Sequence, residues 1–236
     1  MIFLGLILMS TLICTMKEPS DQVVSTIESQ LEKGWKVIDY DIKDHFLYVI
    51  LGDQKDFIYG KTVAIYKIEE VETKIQLIKQ YENDFSKVKP WKINCKDVEG
   101  DGETEIIVGV YKKTHFDPNE GNRVFVFNWD GKKIYKKWTG SKLGNKLMQY
   151  EFIDFLDLKG DELIVVDLDE GGKEKLLIYY WFDFGFSLLA ESKSYDRISN
   201  VTYLGTNLLE ITYIHKGIKN IKKISIIKDK VVDVTN

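Results

Sequence analysis

Cysteine and proline are scarce, at two and three residues in a chain of 236. A disulfide-dense scaffold and a collagen-like chain are thereby excluded, and the fold must be held by packing. A large excess of one charge is also missing. Thirty-three basic against 37 acidic side chains leave a net charge of −4, so the chain lacks the strongly basic face with which a general nucleic-acid binder neutralises phosphates. The three histidines, His45, His115 and His215, stand far apart with no cysteine or histidine at ligand spacing, which is not the pattern of a zinc site. No G-x-S-x-G elbow, P-loop or G-x-G-x-x-G occurs, and nucleophilic and nucleotide chemistry have no support. What the chain does contain is 44% apolar and 13% aromatic residues, which excludes disorder and suffices for a large core.

Residues 1–16, MIFLGLILMSTLICTM, carry no charge, and Lys17 and Glu18 end the run. As a helix rising about 1.5 Å per residue it is marginal for a hydrocarbon core of about 30 Å. It reads as a signal peptide or short signal anchor. The expected location is therefore extracytoplasmic, either secreted or anchored to the outer face of the cell membrane, with membrane contact through this segment only. Cys14 invites a lipoprotein reading, although Thr11, Leu12 and Ile13 before it match such a site poorly. Cys95 reads as a buried free thiol. Residues 17–34 form a helical linker: Ser20 or Asp21 is a candidate N-cap, Val23, Val24, Ile27 and Leu31 share one helical face, and Gly34 is a stop.

From Trp35 onward short runs of β-branched and aromatic residues alternate with turns rich in Gly, Asp, Asn and Lys. The runs repeat. YVILG (48–52), EIIVG (105–109) and ELIVV (162–166) align with Ile50, Ile107 and Ile164 in register, each step being 57 residues (107 − 50 and 164 − 107), and LLEITYI (208–214) follows at a shorter interval. Each run has one strand before it and two after it, giving four strands per group, the signature of propeller blades. The expected fold is all-β: one propeller-like domain over 35–236, with about four four-stranded blades near 35–88, 91–141, 147–194 and 198–236. The ring closes by pairing of terminal strands, stays incomplete, or needs a partner, and an oligomer is one outcome. KKTHFDPNEGN (112–122) reads as a long polar loop of the second blade, with His115, Phe116 and Asp117 as contact residues.

The strongest local signal is DVEGDGETE (97–105). Carboxylates of Asp97, Glu99 and Asp101 fall at positions 1, 3 and 5, the Glu103 carbonyl at 7 and the Glu105 carboxylate at 9, while Gly102 permits a sharp bend. Calcium takes six to eight oxygens of this kind. An EF-hand is excluded because its twelfth position would be Val108, inside an apolar strand. The alternative is a metal-free acidic turn closed by its own Asx-type hydrogen bonds. DLKGDE (157–162) has Lys159 at the third position, and DIKDH (41–45) lacks the glycine, so both read as metal-free.

An acidic D-x-[D/N/E]-x-D-G-x-x-[D/E] loop running straight into an EIIVG strand, within a blade-length repeat, resembles the FG-GAP or VCBS type of β-propeller blade. Such blades occur in integrin α chains and many bacterial extracellular proteins. The resemblance is specific over 91–138, weaker over 149–191, and topological in the other blades. It implies calcium at Asp97, Glu99, Asp101, Glu103 and Glu105, with Glu99 standing where the family more often has Asp or Asn. The lysines from Lys216 to Lys230 read as the solvent face and edge protection of late strands, and the tryptophans as structural. The expected function is a non-catalytic binding or scaffold module for a protein or surface polysaccharide, with one calcium-stabilised loop and no nucleic-acid partner. A secreted glycan hydrolase or lyase, using carboxylates from different blade loops, is the alternative.

Overall fold

A strand that is apolar on both faces, such as EIIVGV, is stable only with a layer packed on each side. The computed structural model of the protein meets this requirement by stacking four separate four-stranded antiparallel sheets. Residues 21–71, 74–115, 117–140 and 142–234 are described. The expected export segment, Cys14, Ser20 and Phe116 lie outside them. Among the described residues one α-helix, α1 (Asp21–Gln30), precedes the sheets. Sheet 1 is the meander β1 (Trp35–Lys43), β2 (Phe46–Asp53), β3 (Thr62–Val71), β4 (Lys74–Asp84). Sheet 2 is β5 (Pro90–Lys96), β6 (Glu105–Thr114), β7 (Asp117–Trp129), β8 (Ile134–Thr139). Sheet 3 is β9 (Leu147–Ile153), β10 (Glu162–Leu168), β11 (Glu174–Phe182), β12 (Gly185–Glu191). Sheet 4 is β13 (Arg197–Gly205), β14 (Leu208–His215), β15 (Ile218–Ile227), β16 (Lys230–Val234). The fold is all-β with propeller-like blades, as the repeats predict.

The three aligned isoleucines occupy one structural position. Ile50 faces Val63, Ile107 faces Val126 and Ile164 faces Ile178 across the second and third strands of their sheets, and all three are fully buried. Each points toward the following sheet. Ile50 joins Ile93, Ile106 and Val108 in the seam between sheets 1 and 2; Ile107 joins Tyr150, Leu163 and Val165 in the seam between sheets 2 and 3. Ile164 joins Val201, Leu209 and Ile211 in the seam between sheets 3 and 4. The tryptophans are structural here too. Trp91, Trp138 and Trp181 pack on the middle seam, Trp129 on the first, and Trp35 on the helix-covered face of sheet 1.

Polar side chains stitch the first strands of adjacent sheets where backbone pairing stops. Asp39 and Asp41 on β1 accept from the backbone N–H groups of Ile93 and Cys95 on β5, at 2.8 and 2.9 Å. On the other side of β5 the Lys92 ammonium donates to the Tyr150 carbonyl at 2.7 Å and to the Glu151 carboxylate. At the loop ends the seam between sheets 2 and 3 closes backbone to backbone: Asp161 N–H donates to the Asp97 carbonyl at 2.9 Å. Gly100 and Gly160 permit that approach. A Cβ on Gly100 would stand 2.4 Å from the Gly160 nitrogen, and one on Gly160 would stand 2.3 Å from the Val98 carbonyl oxygen.

The two ends of the stack are finished differently. The free face of sheet 1, carrying Leu47, Val49 and Leu51, is covered by Val23 and Ile27 of α1. In sheet 4 Leu209 and Ile211 pack back on sheet 3, as Leu163 and Val165 pack back on sheet 2, but the alternate residues of the strand are polar. The outward rungs of that sheet are consequently Glu210 with Lys223 and Thr212 with Ile221. Among the described residues no buried apolar cluster joins sheet 4 to sheet 1, and no strand from one end of the chain completes a sheet at the other.

One element departs from expectation. The stretch 112–122 is the outer part of the β6–β7 hairpin rather than a loop, with Lys112 paired to Gly121 and Thr114 to Asp117. Arg123 accounts for the difference. Its guanidinium is buried and donates to Asp117 Oδ2 at 2.6 Å and to the carbonyls of Asn119 and Asn122, drawing a polar, glycine-containing segment into a regular arm.

Because α1 covers a face that is otherwise apolar, Ile27→Ala should lower unfolding stability by about 3 kcal/mol, within the usual range for emptying a buried Ile site. Denaturant titration of the purified protein measures this. A loss below about 0.5 kcal/mol would show that the helix does not seal sheet 1.

Candidate functional site

Three features hold polar or titratable groups in unusual settings: the acidic loop after β5, its counterpart in sheet 3, and a groove between sheets 1 and 2.

The acidic loop spends its oxygens internally. Asp97 accepts from the N–H groups of Asp101 and Gly102 at 3.1 and 2.8 Å, and Asp101 accepts from that of Glu103 at 2.9 Å. Glu103 itself is exposed. Glu105, the first residue of β6, turns inward and is 2% exposed, with one oxygen accepting from the Val98 N–H at 2.8 Å. Its other oxygen meets the Lys137 ammonium at 2.5 Å, and the same ammonium lies 2.6 Å from Glu99. Burial pushes the Glu105 carboxyl up against the opposing pull of Lys137 and the Val98 N–H. Burial also works to lower Lys137, yet Glu105 and Glu99 hold it above the ordinary lysine value. The loop thus brings Glu99 and Glu105 together around a resident cation while Asp97 and Asp101 close the turn. The described residues contain no group of three or more His, Cys, Asp or Glu side chains placed to hold a metal ion. As arranged, the loop does not fit calcium, because an ammonium stands where a divalent ion would bridge Glu99 and Glu105.

Sheet 3 repeats this design with one part missing. Glu162 opens β10 as Glu105 opens β6, and accepts from the N–H groups of Phe155 and Leu156, both at 3.1 Å. Lys137 is the unpaired residue of a bulge between β7 and β8; the matching bulge between β11 and β12 leaves Leu189 unpaired. Among the described residues no ammonium is paired with Glu162. Its second oxygen is buried without a hydrogen-bond partner, and burial pushes the carboxyl up to about 7 in spite of the two backbone donors.

The groove has a volume of about 650 Å³ and runs from the end of β4 to the β6–β7 arm and the edge of β8. Phe125 and Phe127, the sheet 1-facing residues of β7, belong to the buried seam beneath it, and Trp138 borders it along β8 while its ring packs against Phe186 of sheet 3. Lys87, Lys112, Lys136 and His115 lie around the groove, whereas Asp84 is the one carboxylate in the lining. A neighbouring cavity of about 520 Å³ includes Glu82 and Asp84. Hydrogen bonds from Ser86 lower the Asp84 carboxyl, and Glu82 pairs with Lys79. The carboxyls pushed upward, Glu105, Asp161, Glu162 and Asp167, line neither cavity.

Of the residues singled out from the sequence, the structure places His115 at the groove and Asp117 in the Arg123 lock, and it separates both from the acidic loop of Asp97, Glu99, Asp101, Glu103 and Glu105. Lys137 and Arg123 have no local sequence signal, since each acts on a partner through sheet geometry, whereas Glu162 is marked in the sequence as the counterpart of Glu105 in the 57-residue register. A scan against protein-family models finds no match, and no curated protein matches the chain.

Lys137→Met should destabilise the protein by about 3 kcal/mol, because it strands a buried carboxylate. Millimolar calcium should leave the parent's melting temperature unchanged. A calcium-dependent rise of several degrees in the parent, abolished by Asp101→Ala, would place a cation in the loop. The second expectation concerns pH. Glu162 holds its proton more tightly folded than unfolded, so the stability it contributes is complete below about pH 4 and lost as pH rises through about 7. Against a free glutamate near 4.3, that loss is on the order of 3 kcal/mol. Glu162→Gln should flatten the fall in unfolding free energy between pH 5 and pH 8; an unchanged slope would remove Glu162 from the account.

Proposed function

We propose that the protein is an exported, non-catalytic binding module built from FG-GAP or VCBS-type blades, and that it engages its partner through the groove between sheets 1 and 2. The blade type is supported by four-stranded meanders in series and by the acidic loop leading into EIIVG. The charge-free segment at residues 1–16 supports delivery to the outer face of the membrane or beyond it. A protein or surface polysaccharide is the partner class, and the membrane is met through the N-terminal segment only. In this reading Lys137 provides the loop stiffening that the sequence assigned to calcium.

The observation that carries the proposal is the division of labour among the acidic residues. The carboxyls with raised affinity for protons sit at strand ends and turns away from both cavities, which are lined instead by carboxylates that ionise readily or are ion-paired. General acid catalysis needs a carboxyl that is protonated near working pH and within reach of substrate. Here that pairing is absent among the described residues, while a concave surface bordered by Lys87, Lys112 and Lys136 is present.

The purified full-length chain should show no turnover on glycan, ester, phosphate or peptide substrates. Lys136→Glu, on the exposed edge strand of the groove, should reduce capture of cell-envelope material several-fold and leave the melting temperature within about a degree. Turnover abolished by replacing a single carboxylate would establish the hydrolase instead.

A further inference from the structure

We infer that the turn between β9 and β10 is a proton-operated latch: with a proton on Glu162 it fastens sheet 4 to sheet 3, and without that proton the turn end of the seam comes loose. Along β10, Leu163 and Val165 face sheet 2 whereas Ile164 and Val166 face sheet 4. Glu162 is in step with Ile164 and so points into the seam between sheets 3 and 4. Its Oε2 accepts from the N–H groups of Phe155 and Leu156, and both of those side chains pack in that seam, Phe155 at 1% exposure. The Phe155 carbonyl in turn accepts from the Asn207 N–H in the β13–β14 turn. Asn207 carries the connection to β15, donating to the Ile226 carbonyl at 2.9 Å and accepting from the Ile226 N–H at 2.7 Å. One carboxyl thus stands at the head of a continuous chain of hydrogen bonds from sheet 3 to sheet 4.

The other oxygen of Glu162 makes the latch sensitive to charge. It is buried with no hydrogen-bond partner, which is far costlier for an anion than for a neutral carboxyl. Asp154 of the same turn adds a like charge, while Lys96 and Asp97, from the sheet 2 side, bear on the neighbouring Asp161. From β12 the residue at the bulge is Leu189, where sheet 2 has Lys137, and sheet 4 brings the uncharged Tyr203, Asn207 and Ile226 to this end. Sheet 4 is also the sheet that can leave, since among the described residues no buried apolar cluster covers its outward face. Its opposite end stays tied: the Ile198 N–H donates to Glu174 at 2.6 Å, and Tyr195 is bridged to Glu174. Loss of the proton therefore frees the half of sheet 4 nearest Asn207, with the β12–β13 connection as the hinge. The closed turn keeps its proton up to about pH 7, whereas a hydrated, opened turn returns the carboxyl to about 4.3. Between those values opening is favoured by about tenfold per unit of rising pH, and above them the effect levels off.

Segment-resolved hydrogen exchange of the full chain between pH 5 and pH 8 tests the latch, with rates converted to protection factors so that the intrinsic pH dependence of exchange cancels. Segments 207–214 and 221–227 should exchange through an opening smaller than global unfolding, so their protection should lie below that of Ile106–Val110 at every pH. That protection should fall roughly a hundredfold from pH 5 to pH 8. Glu162→Gln, which keeps the shape of the protonated acid, should hold it level, and Asp161→Asn should leave the fall in place. Protection of sheet 4 equal to that of Ile106–Val110 would mean that sheet 4 leaves only when the whole protein unfolds, and would overturn the latch. Protection of sheet 4 that ignores pH in the parent would overturn it too, as would a fall that survives Glu162→Gln or disappears in Asp161→Asn.

Discussion

The structure depends on two-sided burial of its middle strands. A strand such as β6 sends Ile106, Val108 and Val110 into one seam and Ile107 into the next, so no sheet of this kind is stable by itself. At roughly 25 cal/mol per Å² of apolar surface removed from water, one uncovered face forfeits several kilocalories per mole. Sheets must therefore be added until something of a different character ends the series. At one end the terminator is α1, whose Val23 and Ile27 replace a neighbouring sheet. At the other it is a change of composition: polar Glu210 and Thr212 take the outward positions that Ile107 and Ile164 fill in sheets 2 and 3.

The same constraint shapes the chemistry of the blade turns. The loop before a buried middle strand leaves backbone N–H groups at the edge of an apolar seam, where an unsatisfied donor is costly. Glu105 and Glu162 answer that need by folding back onto Val98, Phe155 and Leu156. Burying a carboxylate creates a second problem, solved in sheet 2 by Lys137 and left open in sheet 3 by Leu189. One residue at a bulge thus separates a paired carboxylate from one that titrates near neutrality. These carboxyls serve the frame, and the groove between sheets 1 and 2 is bordered by lysines.

Much of this was legible in the sequence, and what was not has definite physical causes. The 57-residue register placed Ile50, Ile107 and Ile164 correctly, because alternation and burial are local properties of a strand. The apolar stripe of Val23, Ile27 and Leu31 marked the helix for the same reason. The stretch 112–122 misled because Asp, Pro, Asn and Gly are turn formers on average, whereas here the buried Arg123 holds them in pairing. In the acidic loop, spacing alone counts oxygens and is blind to direction: Glu105 belongs to the strand and points inward. Lys137 lies 32 residues further on, in a lysine-rich segment that reads as solvent-facing until the bulge turns it. The groove escaped because its walls come from two sheets and no single segment carries its pattern.

Native-state hydrogen exchange, resolved by segment, tests the central claim most directly, because protection reports which strands are covered on both faces. The account predicts that amides of Leu47–Leu51, Ile106–Val110 and Leu163–Val166 exchange only through global unfolding, and that β15 and β16 exchange fastest among the strands. Protection of β15 and β16 equal to that of β6, or early exchange of β2 beneath α1, would contradict it.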